Sequence, residues 1–265
     1  MKLRLFTLLI ISILYACKKG PLEQSYVPRQ LNANEDFNNY PKQPSDVLTI
    51  IAAAPTGQGG EAFQVKYKDT LIKIQPDEKD KAFLKDRFGM VEVINTQKTA
   101  ALVQLEGSLN AQAPFFLITL KDGKVDVVSL YRASNGAGDQ NFTKGMTRIG
   151  KSAFLINNDF VVTPVNAKVY LIPRQHEEER LQGHHFMNSK DKKTLVFLLK
   201  DALYQVHYPT GTVYSVPAPK NIREKISDAY KWIQKNYIWV KNGKGIEFLK
   251  YVDDDAIVDI SSFKK

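Results

Sequence analysis

The sequence predicts a β-rich α+β fold that consists mostly of antiparallel sheet, with hairpins and two or three helices. Short runs of alternating apolar and polar residues recur along the chain, and turn residues separate most of them. The clearest pair, residues 115–120 and 124–131, flanks Lys121-Asp122-Gly123, which is typical of a β-hairpin. Strands joined by turns favour antiparallel pairing over a parallel βαβ array.

The other strand predictions follow the same pattern along the chain. Residues 47–51 form the first predicted strand, and residues 63–68 and 70–74 alternate across a Lys68-Asp69 turn as a hairpin. Further strands are predicted over residues 90–95, 100–105, 153–156, 160–163, 168–172, 194–199, 203–207 and 212–216.

Residues 77–88 are predicted to form a helix. Pro76 precedes the segment, acidic residues fill its first turn, and Gly89 follows it. Phe83 and Phe88 contribute to an apolar face, so we expect this helix to pack on the sheet.

A second helix is predicted near the C-terminus. Asn221 and Glu224 have the spacing of a capping box, and apolar residues then recur at helical spacing through Ile233. A hairpin over residues 237–251 and a last strand over 256–260 follow, so a helix-hairpin subdomain is expected from about residue 220. The aromatic residues of this region are better explained by a packed core than by a sugar-stacking platform. They are Tyr230, Trp232, Tyr237, Trp239, Phe248 and Tyr251.

An alternative architecture is a partial or small β-propeller. Residues 189–214, with Leu203-Tyr204 and Thr210-Gly211 at their turns, are similar to a propeller blade repeat. Predicted hairpins near residues 116, 154, 194 and 237 also recur every 38 to 43 residues, which is within the range of propeller repeats. The intervals share no signature, so the generic β-rich domain is preferred.

The N-terminus has the composition of a secretory signal. A basic start with Lys2 and Arg4 precedes an apolar run over residues 5–14, and Ala16 stands directly before Cys17. This arrangement resembles the lipobox of bacterial lipoproteins. The resemblance implies cleavage of residues 1–16, attachment of acyl chains such as palmitate to Cys17, and a lipid-anchored place in the bacterial cell envelope. Lys18 does not resemble the Asp that retains some lipoproteins in the inner membrane, which favours the outer membrane.

The sequence divides into three parts on this interpretation. Residues 1–16 are the signal peptide, residues 17–46 are a lipidated cysteine and a flexible polar tether, and residues 47–265 are the globular domain. Cys17 is the only cysteine, so lipidation leaves no thiol for a disulfide, a metal site or a nucleophile.

The charge indicates the kind of partner. Without the signal peptide the chain carries 35 basic and 28 acidic residues, or about +7. The basic residues are scattered and form no arginine stripe, and an exported protein rarely meets nucleic acid. We therefore expect the membrane, an envelope protein or an anionic polymer as partners, and neither nucleic acid nor nucleotide.

Two glycine-rich segments match nucleotide-binding patterns in letters alone. Residues 145–152 satisfy the phosphate-loop pattern, yet polar residues precede them and a strand-like run follows. Residues 57–62 fit a loose dinucleotide pattern, but residues 63–68 alternate as a strand where a helix is required. Neither segment predicts a cofactor, and none is expected.

One histidine cluster offers a metal-site hypothesis. His176, Glu179 and His184 lie close in sequence, and His207 can join them only through the fold. Arg180 stands where a zinc-protease helix needs histidine, so a solvated loop is the simpler interpretation.

A group of aspartates near the C-terminus gives a weaker metal-site hypothesis. Asp253 to Asp255 with Asp259 lack the spacing of a calcium loop, so they are interpreted as a polar turn. The sequence thus favours a non-catalytic binding module. An envelope hydrolase and a periplasmic inhibitor or immunity protein are the alternatives, and an exposed aromatic patch on the C-terminal hairpin would favour a protein partner.

Overall fold

Four β-sheets make up most of the described chain, which confirms the predicted β-rich fold. The computed structural model describes residues 21–53, 61–76, 81–107, 113–132, 145–151, 153–174, 183–199, 201–218 and 226–252. The strands are β1 (Leu22–Tyr26), β2 (Arg29–Gln30), β3 (Glu35–Asp36), β4 (Leu48–Ala53), β5 (Ala62–Tyr67), β6 (Thr70–Ile74), β7 (Leu84–Val93), β8 (Ala100–Gly107), β9 (Phe115–Lys121), β10 (Lys124–Ser129), β11 (Met146–Ile149), β12 (Ala153–Ile156), β13 (Phe160–Thr163), β14 (Lys168–Leu171), β15 (His184–Asn188), β16 (Thr194–Leu198), β17 (Ala202–His207), β18 (Thr212–Pro217), β19 (Tyr237–Lys241) and β20 (Glu247–Tyr251).

The sheets follow one another along the chain. A nine-stranded sheet has the order β1-β6-β5-β7-β8-β9-β10-β2, with β4 paired to β5. A five-stranded sheet (β11-β12-β13-β14-β3), a four-stranded sheet (β15 to β18) and the β19–β20 hairpin come next. Most neighbouring strands are antiparallel and joined by turns, as the hairpin signals predicted.

Each sheet packs on the next through a separate apolar layer. The layer between the nine-stranded and five-stranded sheets includes Leu117, Val128 and Phe160. A second layer, with Leu155 and Phe197, joins the five-stranded sheet to the four-stranded one. Consecutive meanders that stack face to face match the local order of propeller blades, but the nine-stranded sheet does not have the size of a blade.

The prediction of a flexible tether over residues 17–46 is wrong for the part that the structure describes. We call residues 22–37 the strap, because β1 lies parallel to β6, β2 parallel to β10, and β3 antiparallel to β14. Leu31 and Phe37 are 3% and 5% exposed, and both belong to the core between the first two sheets. Residues from Leu22 onwards therefore belong to the fold, which was expected to start near residue 47.

The predicted helix over residues 77–88 is also corrected. Residues 77–80 lie outside the described chain, and β7 begins at Leu84 as a ten-residue strand. Phe88 is buried and pairs with Leu105 of β8 and with Phe63 of β5. Register shifts on both sides of Phe88 interrupt the alternation of side chains, which explains why the sequence pattern did not predict a strand here.

One helix, α1 (Ile226–Asn236), lies within the described residues, against the two or three predicted. Ala229 and Ile233 are buried against β16, β17 and the final hairpin. The predicted C-terminal helix and hairpin are thus confirmed. The capping residues at 221–224 and the last strand predicted at 256–260 lie beyond the described segments.

Candidate functional site

A cleft opens where the strap crosses the β9–β10 hairpin. Its volume is about 390 Å³, which is within the usual range for small-ligand sites. The cleft is open to solvent at one side. It is lined by Arg29, Glu35, Asp36, Phe37, Asn39, Thr119, Lys121, Asp122, Lys124 and Asp126.

The β9–β10 hairpin forms one wall of the cleft, and a tight turn joins its two strands. Asp122 and Gly123 have φ of 53° and 73°, the left-handed conformation that a two-residue hairpin turn requires. The register places Lys121 opposite Lys124 and Thr119 opposite Asp126. Since side chains alternate along a strand, all four project from the same face of the sheet.

Arg29 forms the floor of the cleft together with two carboxylates. Its Nη1 and Nη2 donate to the two oxygens of Glu35 at 2.9 and 2.7 Å, and its Nε donates to Asp126 at 2.8 Å. The hydrogen bonds that Arg29 donates to Glu35, and then the one to Asp126, raise the pKa of Arg29 above its usual value. The guanidinium also lies 5.9 Å from the ring centroid of Phe37, so the floor is held by charge and by packing.

The rim of the cleft is positive. Lys42 pairs with Asp122 at 3.0 Å. The hydrogen bond from Lys42, with the fields of Lys42, Lys121 and Lys124, lowers the pKa of Asp122. Lys121 and Lys124 are exposed, and neither has an ion-pair partner within 4 Å among the described residues.

The cleft carries charged side chains of both signs. Glu35 and Asp126 exceed the charge of Arg29 by one, and Asp36 adds another negative charge beside them. The rim lysines supply two positive charges that no acidic side chain of the described chain offsets at contact distance. A polar ligand with charged groups would therefore be oriented as well as held.

Two of the histidines proposed as a metal site, His184 and His207, lie far apart. His184 pairs with Leu198 at one end of β16, and His207 pairs with Thr194 at the other end. The two positions are separated by roughly 14 Å along the strand and lie on opposite sides of it. His176 and Glu179 are outside the described residues, and the described part of the chain has no group of three His, Cys, Asp or Glu placed to hold a metal ion.

His207 has a local role instead. Its side chain is largely buried at the end of β17, and its Nδ1 lies 2.8 Å from Thr210 Oγ1 in the following turn. Burial lowers the pKa of His207, which disfavours the charged form of the ring.

The two glycine-rich matches are not nucleotide sites in the described segments. Within residues 145–152, Met146–Ile149 is the strand β11, and Gly150 with φ of 61° turns the chain towards β12. A phosphate loop would need a helix there. β5 occupies the place of the helix in the dinucleotide pattern, while residues 54–60 and the aspartates at 253–259 are outside the described chain.

The C-terminal aromatic residues are divided between core and surface. Trp232 and Tyr251 each contact the buried Tyr237 ring, at centroid distances of 5.2 and 5.4 Å. Tyr230, Ile238 and Tyr251 are nevertheless 47%, 52% and 48% exposed. Tyr251 is paired with Tyr237, so Ile238, the next residue along β19, lies on the opposite face. The exposed side chains therefore form separate patches.

The sequence predicted the hairpin that forms one wall of the cleft, without assigning a site to it, and missed the strap that forms the other wall. The Lys121-Asp122-Gly123-Lys124 turn was predicted, but Arg29 and Glu35 fell in the segment interpreted as a tether. A signal was present in the strap, because the apolar Leu31 and Phe37 interrupt its polar sequence.

Comparison with known proteins gives no family for this chain. No protein-family model, no curated protein and no solved structure matches it.

Proposed function

We propose that this protein is a lipid-anchored lipoprotein of the bacterial envelope that acts as a non-catalytic binding module. The observation that carries the binding role is the cleft between the strap and the β9–β10 hairpin. Its floor is ion-paired, and its rim lysines, Lys121 and Lys124, have no ion-pair partner within 4 Å in the described part of the chain.

The anchor follows from Cys17 and the signal-like residues before it. Four residues lie between Cys17 and Leu22, where the strap begins, and the five steps of chain that join them span at most roughly 17 Å. An acylated Cys17 would therefore hold the domain close to its membrane, instead of on the long tether that the sequence suggested. No helix in the described segments is long and apolar enough to cross a membrane. We place the protein at the outer membrane, because Lys18 follows the cysteine.

Lipidation is tested with Cys17→Ser in cells that are fed labelled palmitate. The wild-type protein should carry the label and sediment with membranes, and the variant should lose both properties. Equal labelling and sedimentation of the two proteins would overturn the anchor.

The binding role is tested by crosslinking the membrane-attached protein in intact envelopes. Wild type is compared with the double variant Lys121→Gln/Lys124→Gln and with Lys190→Gln, which removes an exposed lysine from another sheet. Crosslinked products should be lost in the double variant and kept in the control. Products that are unchanged in the double variant would overturn the assignment of binding to the cleft.

A second candidate function is an inhibitor or immunity protein that binds another envelope protein. The exposed Tyr230 and Tyr251 favour it, because tyrosine is enriched at protein interfaces. In the crosslinking experiment, Tyr230→Ser and Tyr251→Ser would then abolish the products that the cleft variants leave intact.

A further inference from the structure

The charges of the cleft are arranged in two layers. The floor holds Glu35 and Asp126 around Arg29, with Asp36 beside them, and its net charge is negative. The rim holds Lys121 and Lys124 at the turn of the hairpin, and Asp122 between them is paired with Lys42, so the rim keeps a net positive charge. The cleft is therefore polarised along β10, from a negative floor to a positive rim.

The two layers are separated by a defined distance. Lys124 and Asp126 are two residues apart on one strand and on one face of the sheet, so their backbones are about 7 Å apart. The side chain of Asp126 is 42% exposed, and that of Lys124 is also exposed. Both are therefore accessible from the cleft. This spacing sets the size of a ligand that contacts both layers.

We propose that the cleft binds a zwitterionic ligand of peptide-like chemistry, with its ammonium group near Asp36 and Asp126 and its carboxylate between Lys121 and Lys124. The proposal rests on the proposed function and names the ligand class of the same cleft. Two fully extended residues span about 7 Å, so a dipeptide with free termini fits the separation of the layers. The ring of Phe37 borders the floor and contacts the Arg29 guanidinium, which helps to fix the position of Arg29.

Ligands with a single kind of charge fit the cleft less well. A polyanion that reaches the rim lysines would extend to the three carboxylates of the floor, those of Glu35, Asp36 and Asp126, in addition to Asp122 at the rim. A polycation would meet the lysines in the same way. Like charges at contact distance lower affinity, whereas a zwitterion satisfies both layers at once.

The test uses the full-length protein in detergent micelles and three dipeptide probes. They are Ala-Ala with both termini free, N-acetyl-Ala-Ala, which lacks the ammonium group, and Ala-Ala amide, which lacks the carboxylate. Binding is measured by isothermal titration calorimetry at low ionic strength, because screening weakens exposed charges. The free dipeptide should bind at least about tenfold more tightly than either blocked form, since each blocked form loses one charged contact.

Variants assign each charge to its layer. Lys124→Gln should weaken the free dipeptide and leave the amide unchanged, because the amide has no carboxylate to lose. Asp126→Asn should weaken the free dipeptide and leave the N-acetyl form unchanged. Asparagine keeps an oxygen that accepts from Arg29 Nε, so the floor is retained, and Lys190→Gln is the matched control.

Failure of the zwitterion proposal can be distinguished from failure of the proposed binding function. Equal binding of the three dipeptides, or no binding of any, would overturn the zwitterion proposal while crosslinking that depends on Lys121 and Lys124 still supports the binding module. Crosslinking that is independent of both lysines would overturn the binding module, and the ligand proposal with it.

Discussion

The side-chain amide of Gln205 makes two hydrogen bonds with the backbone of Leu249. Its Nε2 donates to the Leu249 carbonyl at 2.9 Å, and its Oε1 accepts from the Leu249 N–H at 2.6 Å. Gln205 is fully buried in β17, and Leu249 is buried in β20. The amide thus satisfies a strand backbone from a neighbouring sheet and fixes the C-terminal hairpin to the four-stranded sheet.

Replacing this amide should release the hairpin. Gln205→Leu leaves the buried N–H and carbonyl of Leu249 without partners, and each such group costs about 1–3 kcal/mol. We expect a loss of about 3 kcal/mol in the free energy of unfolding, measured by urea denaturation, and earlier proteolysis within residues 226–252. Gln234→Leu, at an exposed position of α1, should change stability by less than about 0.5 kcal/mol. Similar stabilities for the two variants would contradict this role of Gln205.

The sequence predicted those parts of the fold that local signals specify. The β9–β10 hairpin was predicted because Asp122 and Gly123 fit the turn between the strands, and that signal depends on adjacent residues alone. The final helix and hairpin were predicted in the same way, from periodicity and from the Asn242-Gly243 turn.

The strap could not be predicted in this way, because its partners are distant in sequence. Leu22 pairs with Thr70, Arg29 with Val128, and Glu35 with Val169. Its strands are two to five residues long and exposed, so they carry no alternation of apolar side chains. Half of the candidate site was hidden for the same reason.

The strap predicts a stability effect that a tether would not show. Phe37 is 5% exposed within the core between the first two sheets, so Phe37→Ala should destabilise the protein by about 3–5 kcal/mol. Tyr40→Ala is the matched control, because Tyr40 is 75% exposed and three residues away. Thermal and urea denaturation would measure both variants. Equal stability of Phe37→Ala and wild type would restore the tether interpretation.

A close backbone approach at Gly183 gives another prediction. A Cβ atom there would lie 2.8 Å from Phe197 Cβ and 2.8 Å from Leu199 Cδ2, which is too near for ordinary packing. Gly183→Ala should therefore cost about 1–3 kcal/mol, as overpacking of a core does. Gly243→Ala has open space around the added methyl group and should be nearly neutral. Urea denaturation of the pair checks the difference, and two neutral variants would show that β15 can shift away from β16.

His185 makes the stability of the four-stranded sheet depend on pH. Its ring packs edge-on against Phe197 with centroids 5.8 Å apart, and its Nε2 is buried without a hydrogen-bond partner in the structure. Burial, together with the nearby charge of His184, lowers the pKa of His185 from 6.5 to about 4. The unfolded chain therefore binds this proton more readily than the folded protein does.

Because the unfolded chain binds the proton more readily, the stability that His185 contributes falls as the pH is lowered. The neutral ring contributes its full stability above pH 6.5, and this contribution is lost as the pH falls from 6.5 through about 4, with a total of about 3 kcal/mol. His185→Phe cannot be protonated, so its free energy of unfolding should fall less than that of wild type over this interval. His184→Gln, at the exposed neighbouring position, should keep most of the wild-type dependence. Parallel stability curves for wild type and His185→Phe, measured by urea denaturation at half-unit steps between pH 4 and 7, would contradict a buried neutral histidine.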